Sequence, residues 1–100
     1  MQAQYEIMML QLKEGKKKEG LASALRNVGL AVLASETNPV KLAWLEKIAV
    51  AGIAVAQELQ SYGDVIELAD GYLQLMPQGK EVESVRKARA DAVSKGGQAK

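Results

Sequence analysis

Apolar positions recur at helical spacing through most of the chain, and the breaks between stripes fall on glycine, proline and short polar clusters. Over residues 2–13 the stripe is Tyr5, Met8, Met9 and Leu12, set among residues that favour helix. Helix is the reading there; the alternation Met8, Leu10, Leu12 would also suit a strand, which leaves that alternative open but would need a partner from another chain. Residues 14–20, EGKKKEG, interrupt the pattern with two glycines and a basic run and predict a turn. A second helix is expected over 21–35, with Leu21, Ala24, Leu25, Val28, Ala31 and Val32 in one stripe. Leu30 and Leu33 widen that stripe until only Ser23, Arg26 and Asn27 are clearly polar. Asn38 before Pro39 is pushed away from helical dihedrals and marks the stop.

A third helix follows from Pro39 or Val40 to about Ser61, with Asn38 as its cap and Pro39 where a missing amide costs nothing. Its middle, IAVAGIAVA, is apolar on every face, so it must be surrounded. A chain this short has difficulty covering all of it, which predicts a homodimer in which a second copy covers part of the 42–59 helix or its neighbour. Gly63 is expected to end this helix and Asp64 to cap the next, whose inner stripe is Val65, Leu68, Ala69, Tyr72, Leu73 and Met76 before Pro77. A polar last helix spans about 80–94, and residues 96–100 should fray as a flexible tail beyond a single domain of residues 1–95.

The fold class is therefore all-α: a small bundle of four to five antiparallel helices, arranged as two stacked hairpins with an end helix around the 40–61 helix. Composition agrees. Ala, Leu, Val and Ile supply the apolar residues, while aromatics are only Trp44, Tyr5, Tyr62 and Tyr72, where a sandwich or barrel would carry more. The longest apolar run, residues 48–56, falls far short of the ~20 needed to span a bilayer. With a charged residue inside the first apolar stretch and no basic start, no secretory signal is expected and the location is expected to be cytoplasmic.

The chain has no cysteine and no histidine, which closes thiol chemistry and the commonest routes to a zinc site or a neutral-pH base. Asp64, Glu67 and Asp70 lie at helical neighbour spacing, yet no histidine joins them and no glycine-rich phosphate loop is present. No enzyme activity, metal or cofactor is expected. The formal net charge of +1 gives no global field for nucleic acid or an anionic surface. Lys13 and Lys16 to Lys18 are diluted by Glu14 and Glu19. The last helix mixes Lys80, Arg86, Lys87, Arg89 and Lys95 with Glu81, Glu83 and Asp91, a pattern suited to pairs such as Glu83 with Lys87.

The segment YGDVIELADGYLQLMPQGKEVESVRKARADA, residues 62–92, resembles the end of a tetratricopeptide-type array: a Gly-Asp turn, a helix ending in Leu-x-Leu-x-Pro, and a basic closing helix. ETNPVKLAWLEKIA, residues 36–49, is similar to that family's repeat junction, where proline precedes a helix bearing an early Trp. The two prolines are 38 positions apart, and that offset lays Val28 on Ile66, Leu30 on Leu68 and Ala31 on Ala69. Departures are the excess length of the 40–61 helix, the shortness of 63–77, and a large residue at Tyr72 where a small one is expected. The resemblance covers about half the chain and implies stacked hairpins whose inner face binds a peptide or protein, without chemistry of its own.

The expected function is thus a non-catalytic protein-protein interaction module, an adaptor, inhibitor or assembly factor. Its candidate contact residues are Trp44, Tyr62, Tyr72 and Met8. The plainer reading makes Trp44 a core anchor and Met8 with Met9 core filling. The alternative is a small dimeric DNA-binding regulator that reads DNA with Arg86, Lys87 and Arg89 of the last helix.

Overall fold

A computed structural model describes residues 2–97, which form five α-helices: α1 (Gln2–Lys13), α2 (Lys17–Leu33), α3 (Pro39–Glu58), α4 (Tyr62–Leu75) and α5 (Val82–Ala92). A π-helical turn, Val93–Gly97, follows α5, and there is no strand among the described residues. The open choice at the N-terminus resolves to helix. Of the tail expected to fray, residues 98–100 lie outside the described residues.

Three of the helices stop in the same way. After α1, α2 and α3 one residue takes a left-handed conformation, Gly15 (φ 82°), Ser35 (φ 51°) and Gln60 (φ 58°). Its amide and the next one turn back onto the helix's last free carbonyls, as in Gln60 N–H to Gln57 and Ser61 N–H to Ala56, at 3.1 and 2.8 Å. This corrects two expected boundaries. The turn placed at residues 14–20 is shorter, because α2 already begins at Lys17 and Gly20 is buried in its first turn. The stop placed at Gly63 lies instead at Gln60, so Gly63 and Asp64 sit in the first turn of α4. Asn38 caps α3 as expected: its Oδ1 accepts from the amides of Val40 and Lys41 at 2.9 and 3.2 Å, and Pro39 occupies the first turn.

Contact passes along the chain in order. Each helix packs on the next and on the one after it: α1 touches α2 and α3, α2 touches α3 and α4, and α3 touches α4 and α5. Neither α1 nor α2 reaches α5, and α1 does not reach α4, among the described residues. The core lies where α2, α3 and α4 meet, around Val28, Ile48, Ile53, Val65, Leu68 and Tyr72, each large side chain there worth about 1.5–3 kcal/mol of burial. Small residues let the helices approach. A Cβ on Gly52 of α3 would stand 2.6 Å from the Ala24 Cβ of α2 and 3.0 Å from Leu68 Cδ1 of α4.

The coverage of α3 differs from expectation. All four other helices pack on it, leaving Ala54 the one exposed residue of its apolar middle. The exposed apolar side chains lie elsewhere, chiefly Ile7 and Leu10 on α1, Leu30 and Leu33 on α2, and Val40.

Candidate interaction groove

Because α3 lies between α1 and α5, the strip of it that faces neither α2 nor α4 becomes the floor of a groove. That strip is Ala43, Lys47, Val50, Ala51 and Ala54, which recur at helical spacing and are exposed or half-buried. Toward α5 the floor opens into a cleft of about 740 Å³, bounded by Val50, Ile53, Ala54 and Gln57 of α3 and by Ser84, Val85, Lys87, Ala88 and Asp91 of α5. Toward α1 a smaller pocket of about 260 Å³ is lined by Tyr5, Glu46, Lys47, Val50, Ala51, Lys80 and Glu81. Val50 borders both depressions.

One end of the groove carries the aromatic pair. The Tyr5 and Trp44 ring centroids are 5.6 Å apart, with planes tilted by 45°. The Lys47 ammonium sits 4.7 Å from the Trp44 ring and 6.0 Å from that of Tyr5, a cation held against two π faces. Both rings are half-buried. Trp44 therefore packs against α1 with one side and meets solvent with the other.

The wall formed by α5 is positioned from the core. The Tyr72 hydroxyl on α4 donates to Glu46 Oε2 at 2.5 Å and accepts from the Glu81 amide at 3.1 Å, tying the loop before α5 to α3. Burial, seconded by the Glu46 carboxylate, pushes the Tyr72 phenol up to about 12, against the pull of the Glu81 amide. Gly79 leaves room for the hydroxyl, since a Cβ there would collide with it.

Two expected contact residues are corrected by this arrangement. Tyr72 and Met8 are fully buried, Tyr72 under the α5 loop and Met8 where α1 crosses α2, so neither offers a surface to a partner. Tyr62 is half-buried at the start of α4, with the Lys95 ammonium 6.0 Å over its ring, and borders neither depression of the groove. Of the basic residues on α5, Arg89 is bound to Asp70 of α4 at 2.6 Å, which raises its pKa, while Arg86 and Lys87 are exposed. The anticipated pair of Glu83 with Lys87 is replaced, among the described residues, by Asp91 with Lys95 at 3.2 Å. Asp64, Glu67 and Asp70 make no cluster able to hold a metal ion among the described residues, and no described helix is long and apolar enough to cross a membrane.

Missing from the candidate set were Tyr5, Lys47, Val50 and Ala54, which form the floor and its aromatic end. Their signal is hidden: in a helix apolar all round, the groove strip reads the same as the core strip. Comparison with protein-family models, with curated proteins and with solved structures found no match to this chain.

Proposed function

We propose that the protein is a non-catalytic adaptor that binds a segment of a partner protein, helical or extended, in the groove along α3. The observation that carries this is the open apolar floor of Val50, Ala51 and Ala54 between α1 and α5, with the Tyr5 and Trp44 rings at one end. Apolar floors bordered by a few convergent polar groups are where helical proteins take ligands, and aromatic residues dominate the energy of such contacts. Lys80 and Lys87 stand along the rim beside Glu46, Glu81 and Asp91, so a segment with an apolar stripe and mixed charge at its edges fits best.

Among the described residues each helix touches only the next two, and stacked hairpins joined in this way present a face formed by alternate helices. Here those alternate helices are α1, α3 and α5. The same proposal includes self-association, supported by the exposed apolar side chains of α1 and α2.

The test is selection of random peptides against the immobilised chain, followed by Trp44 fluorescence titration. Selected peptides should shift the emission and lose about tenfold or more in affinity on Ala54→Arg, which fills the exposed floor without entering the core. Peptides that bind Ala54→Arg as tightly as the parent chain would overturn the groove.

A further inference from the structure

We propose that the outward face of α1 joins two copies of this chain as an antiparallel helix pair. This rests on the self-association part of the proposed function and names its surface.

Helix α1 is apolar on two sides. Tyr5, Met8 and Leu12 point into the molecule, and Ala3, Ile7 and Leu10 recur on the opposite side at spacings of four and three. Ile7 and Leu10 are each 55% exposed. Leu30 on α2, 58% exposed, lies level with the first turn of α1, given the antiparallel register set by Ser23 donating to Gln11. Glu6 and Lys13, seven positions apart, flank the same side of this seam. Neither makes an ion pair among the described residues, and Glu6 only accepts from Gln2 at 3.0 Å.

The arrangement is self-complementary. When Ile7 meets the partner's Leu10 across a two-fold axis, Leu10 meets the partner's Ile7. The same axis brings Glu6 beside the partner's Lys13 and Lys13 beside the partner's Glu6. A parallel pair would set Glu6 beside the partner's Gln11 and leave the charges unmet. Among the described residues the far end of the stack offers no matching apolar stripe, because α5 turns Glu83 and Arg86 to solvent outside the cleft. The contact therefore closes on itself as a dimer and does not propagate. A seam three turns long buries less than the ~1,200 Å² of stable complexes, so the dimer is weak, with a dissociation constant on the order of 100 µM.

The experiment is sedimentation equilibrium at low salt from about 10 to 500 µM, a window that brackets that constant. The expected result is a monomer-dimer equilibrium that Glu6→Lys and Lys13→Glu each weaken by about tenfold, since each replaces two attractions with two repulsions. Mixing the two variants should restore dimerisation as a heterodimer, in which every facing pair is opposite in sign. Both positions are exposed, and circular dichroism of the variants checks that the fold is kept. A parent chain that stays monomeric throughout overturns self-association and leaves the groove untouched. A parent dimer that is indifferent to both charge reversals, or variants that do not prefer each other, overturns the α1 seam alone.

Discussion

The Tyr72 hydroxyl and the Glu46 carboxylate, 26 positions apart in the chain, meet at 2.5 Å and hold the loop before α5 against α3. One phenol joins three segments: α4, which carries it, α3, which accepts from it, and the loop whose Glu81 amide donates to it. The wall of the groove is thus fixed by a polar contact at the edge of the apolar core.

Tyr72→Phe keeps the ring and removes the hydroxyl, leaving the Glu46 carboxylate and the Glu81 amide without their shared partner. The expected loss is about 1–3 kcal/mol in urea unfolding, with weaker hydrogen-exchange protection concentrated at residues 79–85. Equal stability of the variant and the parent chain would show that water replaces the hydroxyl at no cost.

Alkali should act through the same group. The folded-state phenol titrates near 12 and the unfolded one near 10, so its contribution is complete below pH 10 and disappears as the pH rises from 10 to 12. The size is about 2–3 kcal/mol. Urea midpoints measured at pH 9 and pH 12 should differ more in the parent chain than in Tyr72→Phe, and an equal difference would remove Tyr72 as the source.

Two helix glycines should respond to alanine with opposite sign. Alanine gains about 1 kcal/mol of helix propensity at either position. At Gly29 nothing lies within 4 Å of the added methyl, so the gain is kept. At Gly52 the methyl would stand 2.6 Å from the Ala24 Cβ, which is fixed to its backbone and cannot turn away, and overpacking of about 1–3 kcal/mol outweighs the gain. Thermal unfolding of Gly29→Ala and Gly52→Ala decides the matter, with the melting temperature rising in the first and falling in the second.

Ser35 and Gln60 close their helices in a conformation that suits glycine. Ser35→Gly and Gln60→Gly should each stabilise the fold by about 0.5–1 kcal/mol, the relief of left-handed strain exceeding the added freedom of the unfolded chain. Denaturant midpoints should rise in both variants and nearly additively in the double one, since the two turns lie in separate parts of the chain.

Those turns also explain where the sequence misleads. Gly15 and Asn38-Pro39 announce their boundaries because the residue types match the backbone they adopt. Gln60 gives no such sign, and the nearby glycine, Gly63, draws the boundary three positions too far. The all-α class and the stripes of α2 and α4 were legible, since periodicity reports burial directly. The groove was not: Val50 and Ala54 belong to the same apolar run as Ile53 and Ala56, and only the placement of α1 and α5 separates floor from core. Tyr72 pointed the same way as Trp44 by residue type, yet a half-buried acceptor on α3 claimed its hydroxyl.

The order in which helices touch has a meaning for synthesis. Since α2 and α3 pack on helices already made, each can settle soon after it leaves the ribosome, without waiting for the C-terminus. The α3–α5 cleft is different, because six of its ten lining residues come from Val82–Ala92. The first four helices can therefore be largely folded before the proposed binding cleft exists, since its second wall is made only when α5 is translated.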